Sequence, residues 1–267
     1  MMINPRYARR PDTMRTGCSA APIAGIIFVL VSLGCRPSEK SAELSKSCGD
    51  SQAVLKAFCT ALREAKTYRV TVSEISRMDN NPTTFHSDGE YDIAVVKPNL
   101  ARLWPKRGVV SGPALLSDGK RVLFSKFPAR KADVATTAPA TLSEVAWNGS
   151  IGEKNTAYLK HSTYVIGGLL NLEPCEALNG QFGAPTSSQV ETILGVMCCR
   201  LHFDTPYRSA DMWFEANAPH LLRQVIVKGK DKGRGLTVTQ VYADWVLNQA
   251  VPQSVFNLVD PFTGKEP

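Results

Sequence analysis

Residues 115–127 read LLSDGKRVLFSKF, an apolar run, then Ser117-Asp118-Gly119-Lys120, then a second apolar run. Asp118 can be read as a working carboxylate or as the corner of a hairpin. Asp-Gly between apolar runs is a strong short-range hairpin signal, because Gly adopts positive φ freely and Asp tolerates the left-handed region. A catalytic Asp needs partners that the sequence does not show. The stretch is therefore read as two antiparallel strands with a turn at Asp118-Gly119, which makes the chain a sheet protein before anything else.

Alternation extends this reading in both directions. YRVTVSE (68–74) places Tyr68, Val70 and Val72 on one face, and GEYDIAVV (89–96) does the same with Tyr91, Ile93 and Val95. MDNNPTTFHSDG (78–89), between them, has the chemistry of a turn. LARLWP (100–105) alternates again, and further strands are expected in 188–195, 197–203, 210–216, 220–229 and 235–247. Helical spacing occurs in DSQAVLKAFCTALREAK (50–66), where Val54, Phe58, Ala61, Leu62 and Ala65 share a face and Asp50 or Ser51 can cap the first turn. PATLSEVAW (139–147) allows a second short helix, and TYVIGGLLN (163–171) is an apolar piece broken by Gly167-Gly168. The expected class is α+β, a largely antiparallel meandering sheet with helices packed on one face.

The first residues obey different rules. Arg6, Arg9, Arg10 and Arg15 precede AAPIAGIIFVLVSLG (20–34), an uncharged run shorter than the ~20 residues of a membrane span. A basic segment followed by a short apolar one is the pattern of a secretory signal. VSLGC (31–35) resembles a bacterial lipobox: Gly34 fits, whereas Ser32 departs from the usual Leu. Residues 1–34 are thus expected to be a lipoprotein-type signal peptide, with Met14 a start that leaves a leader of conventional size. Cys35 is the expected lipidation site, 35–49 a flexible tether and 50–267 the folded domain. An uncleaved N-terminal anchor is the alternative. Both readings export the domain, to the periplasmic face of a bacterial envelope, and attach it to a membrane.

Removing residues 1–34 lowers the formal net charge from +7 to +4. The cluster KGKDKGRG (228–235) reads as a solvated hairpin tip, and with no aromatic interleaved it gives no reason to expect nucleic acid as a partner. Of the seven cysteines, Cys18 leaves with the leader and Cys35 carries lipid. Cys48, Cys59, Cys175, Cys198 and Cys199 remain, an odd set that leaves at least one thiol free or paired between molecules. Cys198 and Cys199, adjacent in a strand, point to opposite faces. The expected disulfide is Cys175–Cys198.

G-x-S-x-G, H-E-x-x-H, the phosphate loop and G-x-G-x-x-G are all missing from the sequence. His86, His161, His202 and His220 are scattered, and His202 reads as a surface-facing strand residue. No catalytic residue, metal site or cofactor is expected. The alternating strands instead carry apolar surface that loops must fill or a cavity must use. Strand phase nominates Val70, Val72, Ile93, Val95, Leu236 and Val238 as its lining, without saying which alternate set points inward.

The order of motifs resembles the lipoprotein-carrier fold of LolA and LolB: one helix, strands, SDGK followed by a strand, then APATL (138–142). The C-terminal half is closer to a related family of predicted periplasmic proteins of unknown function. Its marks here are Cys198, Leu201 and Phe203; WFE at 213–215; Pro219, Leu221, Arg223, Val225 and Ile226; Asp244-Trp245; and Phe256 with Pro261. The resemblance covers about residues 50–265. It implies an open antiparallel β half-barrel whose concave face is covered by helices and receives an apolar ligand, lipid or lipoprotein acyl chains. FPARKADVATT (127–137) departs from the family's tyrosine-containing stretch, and a tethered chain is closer to LolB than to LolA. The function expected is binding without catalysis. The alternatives are an envelope sensor that binds a partner protein of unknown identity, and an uncharacterised envelope enzyme.

Overall fold

In the computed structural model, the described residues are 48–80, 83–107, 114–125, 132–135, 137, 138, 140, 141, 150, 151, 154, 155, 169, 170, 173–230 and 234–259. The leader, Cys35, most of the tether and all but residues 140 and 141 of the expected helix at 139–147 lie outside them. The chain divides into two units after Arg36, and every described residue belongs to the second.

Helix α1 spans Ser51–Glu64. Asp50 caps it, its Oδ1 accepting from the backbone N–H groups of Gln52 at 2.9 Å and Ala53 at 3.0 Å. Val54, Leu55, Phe58, Cys59 and Leu62 form its buried stripe. At the other end, Lys97 Nζ donates to the carbonyls of Leu62 at 2.7 Å and Arg63 at 2.6 Å, satisfying acceptors that the last turn leaves open.

The strands follow: β1 Thr67–Asn80, β2 Thr83–Val96, β3 Leu100–Arg107, β4 Ala114–Asp118, β5 Val122–Ser125 and β6 Ala132–Ala135. After a short pair, β7 Ser150–Ile151 with β8 Lys154–Asn155, comes helix α2, Pro174–Phe182. The chain then makes β9 Ser187–Ile193, β10 Val196–Asp204, β11 Arg208–Glu215, β12 Leu222–Gly229, β13 Arg234–Leu247 and the 3-10 turn Gln253–Phe256. Eleven of these strands, among the described residues, form one antiparallel sheet in the order β6-β5-β4-β3-β2-β1-β13-β12-β11-β10-β9. Each half is a meander of hairpins, and the halves join where β1 pairs with β13. The sheet is open, and the helices cover its concave face.

One expectation is corrected. Residues 78–89, read as a turn, are mostly strand: β1 runs to Asn80 and β2 resumes at Thr83, in unbroken register from Thr67↔Val96 to Asn80↔Thr83. Cross-strand hydrogen bonding along a long hairpin overrides the weak β-propensity of Asp, Asn and Ser.

The SDGK stretch is the corner of β4 and β5. Asp118 Oδ1 accepts from the N–H groups of Lys120 at 2.8 Å and Arg121 at 2.6 Å, while Gly119 sits at φ +85°. Its carbonyl accepts from Asn99 Nδ2 at 3.2 Å, which locks the corner to the β2–β3 turn. Asp118 is spent on the turn, its Oδ1 on backbone and its Oδ2 facing Arg121 Nε at 3.6 Å.

Candidate functional site

Alternation sorts the sheet into two chemical surfaces. On the concave face, β1 presents Tyr68, Val70 and Val72; β2 presents Val95, Ile93 and Tyr91 in register with them; β3 adds Ala101 and Leu103. The second half adds Tyr242 from β13, Leu222, Val225 and Val227 from β12, Met212 and Phe214 from β11, and Leu201 and Phe203 from β10. All are buried, and with α1 and α2 they make one core. Phe58 of α1 packs against Phe214 with ring centroids 5.1 Å apart and meets Trp245 edge-on at 6.1 Å. Phe182 of α2 lies 6.1 Å from Phe203.

Trp245 reaches this face through a bulge. Arg69 opposes Val246 but Thr71 opposes Ala243, so β13 carries one extra residue there, with Asp244 at φ +56°. The phase shift puts Trp245 on the same side as Tyr242, stacked 6.3 Å away, and its Nε1 donates to the Leu222 carbonyl at 2.7 Å.

The six nominated lining residues share this face. Val70, Val72, Ile93 and Val95 are 0–2% exposed and belong to the core beneath the helices. Val238, opposite Val227, is 3% exposed, and Leu236, opposite Met78, is half-buried. The set thus spans two environments: a packed end, and a distal end where Met78 and Leu236 retain solvent access.

Between these ends lies a polar row that the sequence reading passed over. Gln240, 0% exposed, stands opposite Glu74 in the β1–β13 register. Its Nε2 donates to Glu74 Oε2 at 2.6 Å and its Oε1 accepts the Tyr242 hydroxyl at 2.7 Å. Ser76 Oγ donates to the other Glu74 oxygen at 3.2 Å. Burial raises the Glu74 carboxyl above its ordinary range against the opposing hydrogen bonds from Gln240 and Ser76, and it raises Tyr242 too. A signal existed: Glu74 follows Val70 and Val72 at the same phase, and Gln240 lies between Val238 and Tyr242 at theirs.

The outer face carries charge. Arg200 binds Glu191 at 2.9 Å and Asp211 at 3.1 Å, His202 Nδ1 lies 2.9 Å from Asp211, and Trp213 Nε1 donates to Glu191 at 2.8 Å. Burial would raise Asp211, but the hydrogen bonds from Arg200 and His202 hold it below its ordinary value. These groups satisfy one another, and His202 faces outward as read. A shallow cleft of about 550 Å³ lies where the SDGK corner meets residues 253–259. Among the described residues, no group of three or more His, Cys, Asp or Glu could hold a metal ion.

The expected Cys175–Cys198 bond does not form. Cys175 pairs with Cys59, joining α2 to α1, and Cys199 pairs with Cys48. The reason is the facing of β10. Cys199 shares the concave side with Leu201 and Phe203, where both helices lie, whereas Cys198 points to the other side and cannot meet Cys175. Among the described residues Cys198 is the free cysteine, and burial pushes its thiol up to about 11.

The chain is similar in structure to the Mycobacterium tuberculosis lipoprotein LppX, at 15% identity and a TM-score of 0.39, covering 76% of this chain and 99% of that one. It is similar to MucB, solved in complex with MucA, at 10% identity and TM-score 0.36, covering 78% of this chain and 59% of MucB. A putative outer membrane lipoprotein-sorting protein domain from Vibrio parahaemolyticus matches at 11% identity and TM-score 0.30, covering 78% and 97%. No curated protein sequence matches the chain. Residues 51–265 match the family described as "Predicted periplasmic protein (DUF2092)", and the chain belongs to that family.

Proposed function

We propose that the protein is a non-enzymatic component of the cell envelope that holds an apolar ligand, lipid or lipoprotein acyl chains, in the concavity of its half-barrel. The domain works on the periplasmic side, tethered through a lipid on Cys35. The observation that carries this reading is the gradient along the concave face. Past the polar row of Glu74, Ser76 and Gln240, the concave phase of β1 and β13 turns apolar again at buried Val238 and half-buried Met78 and Leu236. An apolar strand face that is only half-buried is suited to an alkyl chain, each methylene of which contributes about 0.8 kcal/mol on leaving water.

Native mass spectrometry with lipid extraction, on protein purified from an envelope fraction, tests the reading. Acyl species at stoichiometric level are expected. A clean apo mass with no uptake of added lipids or lipopeptides overturns it and puts the protein-binding sensor first. For the anchor, an intact mass matching a lipidated Cys35 is expected, and an unmodified Cys35 in the membrane-extracted protein rejects it.

A further inference from the structure

Resting on that reading, we infer that Glu74 is the polar anchor of the concavity and that the ligand is an amphiphile with a protonated amine at its head. The argument is one of donors and acceptors. Along the row, Tyr242 donates to Gln240, Gln240 donates to Glu74, and Ser76 donates to Glu74. Every described hydrogen bond runs toward the carboxylate, so the row ends in acceptor capacity, since an ionised carboxyl offers about four lone-pair sites. Two of those are used.

Charge points the same way. Glu74 is a half-buried acid whose neighbours on this face, Gln240, Ser76 and Tyr242, are all uncharged, and among the described residues no Lys or Arg forms an ion pair with it. A carboxylate so placed is costly to the empty protein and is relieved by a cation brought in from outside. Its position adds direction. Val72 and the packed core lie on one side along β1, and Ser76 and half-buried Met78 on the other. A head group at Glu74 therefore directs its chain away from the packed core, toward half-buried Met78 and Leu236.

The test compares three C12 ligands that differ only in the head, dodecylamine, dodecanol and laurate, by native mass spectrometry and fluorescent-probe displacement on the full protein at neutral pH. The amine is expected to bind about tenfold tighter than the alcohol, with laurate weakest, the ratio of one charge-assisted hydrogen bond. Glu74→Gln keeps the shape, its amide oxygen accepting from Gln240 and its NH2 donating to Ser76 Oγ, whose hydroxyl turns to accept; it should bring the amine down to the alcohol's affinity and leave the alcohol unchanged. If laurate matches or exceeds the amine in the wild type, or if Glu74→Gln leaves the order intact, the assignment falls while chain binding stands. If none of the three binds, the lipid-binding reading itself falls and takes this one with it. Should the variant fail to fold, the wild-type order decides alone.

Discussion

Removing the Cys59–Cys175 bond tests both the fold and the pairing that the sequence alone did not deliver. The perturbation is the double variant Cys59→Ala, Cys175→Ala, which leaves Cys48–Cys199 in place. Taken alone, a bond across 116 residues stabilises by about 5 kcal/mol through the loop entropy it removes from the unfolded chain. The second bond changes that sum. With Cys48 tied to Cys199, the path from residue 59 to residue 175 through that bond is only about 35 residues, which lowers the contribution to about 4 kcal/mol. For a domain of this size, with a urea slope of roughly 2–3 kcal/mol/M, the unfolding midpoint should fall by about 1–2 M. Peptide mapping of the wild type without reduction should recover the segment around Cys59 linked to that around Cys175. A midpoint shift below about 0.3 M, or a recovered Cys175–Cys198 peptide, refutes the reasoning.

Three further outcomes follow from the geometry. Phe58→Ala, at a fully buried position between Phe214 and Trp245, should cost about 3–5 kcal/mol by urea unfolding, and a loss under 1 kcal/mol would mean that α1 is not seated there. Glu74 has a folded-state pKa above its ordinary 4.5, so its charge opposes folding at high pH, and the penalty fades as pH falls through the folded value and is gone below 4.5. Tyr242, the other titratable group of the row, stays neutral throughout. Ligand-free Glu74→Gln should therefore melt a few degrees higher than wild type at pH 8 and level with it at pH 4; a lower melting temperature at pH 8 contradicts the burial argument. The Cys198 thiol, raised from an ordinary 9.0 to about 11, should react with iodoacetamide on the order of a hundredfold more slowly in the folded protein than in urea at pH 8, and equal rates would place it at the surface.

Much of the fold was legible because it is local. Helical spacing around Val54, Phe58 and Leu62 defined α1, and the Asp118-Gly119 signal defined the β4–β5 corner, since both depend on residues within a few positions of one another. Strand phase also selected six residues on one face, Val70 through Val238. What failed was whatever requires a third dimension. The pairing of Cys175 turns on which face of β10 the helices cover, and no spacing encodes that. The length of the β1–β2 hairpin was missed because Asp79, Asn80 and Ser87 vote for a turn while the partner strand holds them extended. The pairing of Glu74 was illegible for another reason: its buried partner Gln240 lies 166 positions away in the sequence, and no motif spacing joins the two.

The Cys48–Cys199 bond has a mechanical consequence. Cys48 lies just ahead of α1, so any tension on the residues before it passes through sulfur into β10 and skips the helix. Strand β10 is hydrogen-bonded on both sides, to β9 and to β11, and shares such a pull among many backbone bonds. Helix α1 would otherwise take the pull itself, in its turns ahead of Cys59, and from there pass it to α2 through Cys175. Reduction of that single bond would reroute the force through the lid, and opening the concavity would become a response to being pulled.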